Sequence, residues 1–216
     1  MTTPLRGRWL LLCACLCAAP AAHAFDVAIS AGAKTVYLRV GDGRINGNTF
    51  AGGQWSGQGT ATAGATNRVS ATVTTAQLAA STPVAMASNS TDTLSHYDNF
   101  AYCDAGELYV GGFYRRPSPT GTTPAAVSLT VDSSVPLNNG GGDTIPFTQI
   151  SWTASGNDNS TQPIGAASFS GSAAQVIANF PANRWQESCH RFTYANAAVV
   201  AAGTYTGRVT YTLSVP

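Results

Sequence analysis

Charge is scarce in this sequence. Only 10% of the 216 residues are Asp, Glu, Lys or Arg, and 11 basic side chains nearly cancel 10 acidic ones. So sparse and balanced a surface gives no electrostatic case for nucleic acid or for an anionic membrane as partner. Beyond the first two dozen residues there is no long apolar run, and nothing later approaches the roughly twenty apolar residues of a membrane span. Helical periodicity is missing too, apart from a possible turn at "TTAQLAAS". Motifs of catalysis are equally thin: no Gly-x-Ser-x-Gly elbow, no His-x-x-x-His, and a "GDGRING" stretch without the strand-then-helix context of a phosphate loop.

The N-terminus has what the rest lacks. Arg6 and Arg8 precede the apolar run "WLLLCACLCAAPAA", which ends in the small-x-small site Ala22-His23-Ala24. This predicts a secretory signal peptide over residues 1–24, cleaved before Phe25. Lipidation at Cys15 is the competing reading. Cleavage removes two arginines and leaves nine basic against ten acidic residues. The expected product is an exported protein of the periplasm, cell surface or extracellular space, with one domain over residues 25–216.

Three of the five cysteines lie in the leader, so only Cys103 and Cys189 remain. An even pair in an exported chain predicts a disulfide. A metal site is the alternative, because Asp104 follows Cys103 and His190 follows Cys189. It is disfavoured because neighbours in a strand point to opposite faces and do not readily converge on one ion. No cofactor and no metal is expected.

Short runs rich in Val, Thr, Ile, Tyr and Phe alternate with Gly, Asn, Ser and Pro clusters, which predicts an all-β antiparallel sandwich or barrel. "TVYLRV", "NRVSATV", "ELYVGGFY", "AAVSLTV", "IPFTQISW", "AQVIANF" and "CHRFTYA" are among the expected strands. "SHYDNFAYCD" brings His96, Asp98 and Asp104 close in sequence and reads as a polar loop leading into the disulfide. Nothing selects one carboxylate pair for glycoside hydrolysis from the ten acids present, so no catalytic residue is assigned and the protein is not expected to be an enzyme. Trp152 and Trp185 are expected in the core.

Two features suit ligand binding. Trp55, in "AGGQWSGQG", presents an indole able to stack on a sugar ring, and Arg115 with Arg116 at the end of "GGFYRR" could hold an anionic glycan. Each has a plainer reading, as an edge-covering ring and a solvated loop entrance. The sequons at Asn89 and Asn159 report exposed polar loops.

The last stretch, "AAGTYTGRVTYTLSVP", alternates strictly: Tyr205, Gly207, Val209, Tyr211, Leu213 and Val215 on one face, threonines, Arg208 and Ser214 on the other. That is an amphipathic strand whose apolar face needs cover. The run from Ala202 through Val209 and on to Val215 resembles the final strand of chaperone–usher pilus subunits and of the related spore coat protein U group. The resemblance implies an immunoglobulin-like, pilin-like sandwich without its last strand, and a groove lined by the six residues just named. It also implies a periplasmic chaperone, an outer-membrane usher and neighbouring subunits as partners. Phe25, Val27, Ile29 and Ala31, on one face of "FDVAISAGAK", would then form a donor strand that adds to a neighbour's sheet. The expected role is a structural or adhesive surface subunit. A lectin-like β-sandwich binding surface glycans through Trp55, Arg115 and Arg116 is the alternative, and a secreted hydrolase stands third.

Overall fold

In the computed structural model, residues 35–46, 50–51, 54–55, 60–115, 125–156 and 161–214 are described. They fall within one unit, Ala31–Pro216. Nine strands build two antiparallel sheets: β1 (Thr35–Val40), β2 (Val84–Ala85), β3 (Leu108–Arg115), β4 (Val127–Asp132), β5 (Ile150–Ser155), β6 (Ala167–Ser168), β7 (Gln175–Phe180), β8 (Trp185–Tyr194) and β9 (Thr210–Ser214). The first sheet runs β1-β3-β8-β5-β6, with β2 also paired to β8; the second runs β7-β4-β9. Short two-stranded ladders, such as Gly43–Asn46 with Thr60–Ala63, decorate the long β1-to-β3 connection.

The two sheets share a core. Val110 and Tyr114 of β3 meet Val127 and Leu129 of β4 and Phe180 of β7, with Leu38 of β1 and Leu213 of β9 packed against them. Gly112 of β3 makes this approach possible, because a Cβ there would lie 2.8 Å from the Phe180 ring. Strand alternation sets β4 well: Val127, Leu129 and Val131 are buried while Asp132 is exposed. β3 differs, since Leu108 through Tyr114 are buried on both faces. Its outer face is covered by residues 90–104.

That cover begins with the disulfide. Cys103 and Cys189 are joined, with Cα atoms 5.5 Å apart and a separation of 86 positions in sequence. The metal reading through the neighbouring residues is corrected here. His190 turns to the opposite face of β8, into the core, where its ring stacks on Trp152 at 5.5 Å, and Asp104 lies at the surface near Arg191. The "TTAQLAAS" turn is the helix α1 (Thr75–Ala80), opened by a capping box in which Thr74 and Gln77 satisfy each other's backbone N–H. "NRVSATV" forms a strand only over Val69–Ser70.

Trp152 is buried as expected. Trp185 is not in the inter-sheet core; it lies half-buried on the outer face, beside Tyr37 at 5.7 Å and Phe113 at 6.4 Å. Parity along β8 explains this, because Trp185 shares a face with Glu187 and Cys189.

A buried loop closes the core. Ile164 is fully buried. Its backbone N–H donates to Ser188 Oγ at 3.1 Å, its carbonyl lies 3.2 Å from His190 Nε2, and Trp152 Nε1 donates to the Gly165 carbonyl at 2.9 Å. Backbone polar groups taken from water need such partners, which is why Ser188, His190 and Trp152 occupy inward positions of otherwise apolar strands.

Candidate functional site: the outer edge of the last strand

β9 pairs with β4 in regular register, Ser128 opposite Ser214 through Asp132 opposite Thr210. It ends its sheet, and among the described residues no strand pairs with its outer edge. The expected alternation is present: Tyr205, Val209, Tyr211 and Leu213 are half-buried, while Thr206, Arg208, Thr210, Thr212 and Ser214 are exposed. Burial pushes the Tyr211 phenol well above the ordinary tyrosine range. Leu213 and Tyr211 rest on the inter-sheet core beside Leu38 and Val40 of β1, the strand that forms the edge of the other sheet. The regular strand starts later than the alternation does. Before Thr210 the described residues of this run pair with the fold through one β-bridge, Thr206 with Asn138. Gly207 packs so closely that a Cβ would sit 3.0 Å from the Phe147 ring and 3.2 Å from Leu137. It seats the loop and offers no side chain to a groove.

Such an edge can recruit a strand. Its outward N–H and C=O groups are a template for backbone hydrogen bonds, and half-buried Tyr211 and Leu213 supply an apolar flank.

The other expected site residues are scattered. Arg115 ends β3, half-buried and opposite Thr35. Trp55 falls in a two-residue strand paired with Phe50–Ala51; its side chain, Arg116, Val215 and the donor residues Phe25, Val27, Ile29 and Ala31 lie outside the described residues. Within "SHYDNFAYCD" the three titratable groups turn to different partners. His96 Nδ1 is 3.0 Å from the Tyr37 hydroxyl, Asp98 accepts from the N–H of Phe100 in its own turn, and Asp104 lies 3.9 Å from Arg191.

Sequence reasoning missed a polar cluster on the outer face of β3 and β8. The Glu187 carboxylate accepts from Ser95 Oγ at 2.9 Å, Tyr109 Oη at 2.6 Å and Trp185 Nε1 at 2.8 Å. Buried Arg39 lies over the Tyr109 ring at 4.1 Å, pairs with Asp92 at 3.2 Å and donates to the carbonyls of Gly41, Leu94 and Asp92. Burial, and then the Glu187 charge, push the Tyr109 phenol far up; burial holds Tyr37 at about 12. These groups fasten the 90–104 loop to the sheet. Their partners lie up to 92 residues apart, so no local pattern marks them.

No protein-family model, curated protein or solved structure matches the chain. Among the described residues no helix is long and apolar enough to cross a membrane.

Proposed function

We propose that the protein is an exported structural or adhesive surface subunit of immunoglobulin-like, pilin-like build, assembled by donor-strand complementation through a periplasmic chaperone and an outer-membrane usher. The observation that carries this reading is the strand order around β9. An immunoglobulin sandwich sets strands A-B-E-D in one sheet and C-F-G in the other. Here β1-β3-β8-β5 correspond to A-B-E-D in both spatial and chain order, and β4 and β9 correspond to C and F. β7 is an addition on the far side of β4. The place of strand G, beside β9, is taken by no described strand, which supports the reading of an open groove there.

Energetics favour an occupant. Covering aliphatic side chains contributes about 1.5 to 3 kcal/mol each when burial is complete. Half-buried Leu213 and Val209 retain part of that gain for a partner. The donor reading assigns the partner to residues 25–31 of a neighbouring subunit, whose alternate Phe25, Val27, Ile29 and Ala31 would enter between β1 and β9.

Deleting Phe25 to Ala31 from the secreted protein tests it. The expected outcome is normal export of a folded monomer that no longer assembles, read by size-exclusion chromatography and electron microscopy. A deletion that destabilises a lone monomer instead means internal donation and no polymer. Unchanged assembly and unchanged stability would remove the reading.

A further inference from the structure

One cluster of ligand-type side chains stands apart from the β9 edge. Cys103, Cys189 and Glu107 are all buried, and their Sγ and carboxylate oxygen atoms lie within 4.8 Å of one another. Glu107 is held in place: Oε1 accepts from Ser155 Oγ at 3.1 Å and from Arg191 at 3.3 Å, and Oε2 accepts from the N–H of Asp104 at 3.0 Å. Arg191 is half-exposed, so its side chain leads from solvent to the carboxylate.

We propose that in the dithiol state Cys103, Cys189 and Glu107 form a site for one thiophilic divalent cation, such as Zn²⁺ or Cd²⁺, and that closing the disulfide abolishes it. Two sulfurs select a soft ion over Ca²⁺ or Mg²⁺, which take oxygen ligands. A tetrahedral ion with Zn–S near 2.3 Å sets its sulfurs about 3.7 Å apart, so each Sγ moves by roughly 1 Å from its bonded position. Two thiolates, one carboxylate, one dication and the Arg191 guanidinium sum to zero charge, as a buried site requires. The sequence pointed to His190 and Asp104 as companions of the cysteines; the third ligand is instead Glu107, brought in by the turn that leads from Cys103 into β3.

The chemistry balances with a phosphine as reductant. Phosphine and water convert the disulfide to two thiols and phosphine oxide, and the incoming dication then displaces the two thiol protons. Disulfide and metal are therefore mutually exclusive occupants of one place.

Anaerobic titration of the phosphine-reduced chain with Cd²⁺, in a background with Cys13→Ser, Cys15→Ser and Cys17→Ser so that Cys103 and Cys189 are its two thiols, read by the thiolate-to-cadmium charge-transfer band, tests the proposal. One ion per chain is expected, with release of two protons per ion at a pH below the thiol pKa. Cys103→Ser should abolish this binding, and Glu107→Gln should weaken it about tenfold or more. Should Glu107→Gln fail to fold as the oxidised protein, Glu107→Asp, which retracts the carboxylate, must weaken binding in its place. Equal affinity in the wild type and the Glu107 variant, persistent binding in Cys103→Ser, or one ion per two chains would overturn the site. So would reduction that collapses the near-ultraviolet circular dichroism with no recovery on adding Cd²⁺.

Discussion

β8 and β9 are both antiparallel strands, yet they stand in opposite situations. β8 lies in the middle of its sheet, bonded to β3 and β2 on one side and to β5 on the other. Its outer face is tied down by the disulfide and by Glu187 with its three donors, and its inner face by Trp152 and the buried Ile164 loop. β9 is bonded to β4 alone, and its apolar row is only half-buried. One strand is paired on both sides within the chain; the other, among the described residues, is paired on one side only. A fold that is over-determined around β8 can tolerate an unpaired edge at β9, as the proposed assembly role would require.

The largest effect should come from breaking the polar fastening over β3 and β8. Arg39→Met removes the Arg39–Asp92 ion pair, in which the Asp92 side chain is 9% exposed. It also strips donors from the carbonyls of Gly41 and Leu94. Removing one partner of a buried pair costs about 3 to 5 kcal/mol. The expected outcome in urea unfolding is a loss of that size at unchanged m-value. A change below 1 kcal/mol would mean that the 90–104 loop is not fastened through Arg39.

The inner face of β8 predicts the next effect, and it depends on pH. Burial lowers the His190 pKa from 6.5 to about 4, against a smaller raising contribution from the Ile164 carbonyl. Between these values the unfolded chain binds a proton that the folded chain does not, so stability rises with pH across the window and falls as pH drops from 6.5 to 4. The shift corresponds to about 3 kcal/mol. Among the described residues Nδ1 has no hydrogen-bond partner, so a second proton on the ring would find no acceptor among them. His190→Gln, which can still donate to Ile164, should flatten the stability profile between pH 6.5 and 4 while lowering stability at pH 7. An unchanged slope in the variant would assign the acid sensitivity to other groups.

Local signals were the ones legible in the sequence. The alternation from Tyr205 to Leu213 reappears as alternating half-burial and exposure, the even cysteine pair as the disulfide, and "TTAQLAAS" as a capped helix, because each depends on residues close in the chain or on chemistry with a single solution. Arg39 was invisible: in "TVYLRV" it occupies an ordinary outward position, and only residues 90–104 make that position buried. Trp185 was misread for the same reason, since an apolar residue in a strand has two faces to choose from and the covering loop made the outer one dry. "NRVSATV" shortened to two residues because Ser70, Ala71 and Thr72 are exposed and Val73 only half-buried, which leaves little apolar burial to extend the pairing.

The smallest and most discriminating effect belongs to β9 itself. Leu213 packs on the inter-sheet core and its methyl group comes within 3.5 Å of where a Cβ of Gly112 would lie, whereas Thr212 points to solvent. Leu213→Asp places a charge against that core and forfeits most of a leucine's burial, about 1.5 to 3 kcal/mol. Thr212→Asp should stay within about 0.5 kcal/mol, as surface substitutions do. The two adjacent substitutions alter the edge backbone alike, so their difference in urea midpoint isolates the face. If assembly uses this edge, Leu213→Asp should also abolish it, while Thr212→Asp, folded and stable, should still assemble. Equal destabilisation by both would make β9 a solvated strand with no apolar flank to offer. A Leu213→Asp protein that remains folded and assembles normally would show that the partner strand binds elsewhere, and β9 would then lose its standing as the recruiting edge.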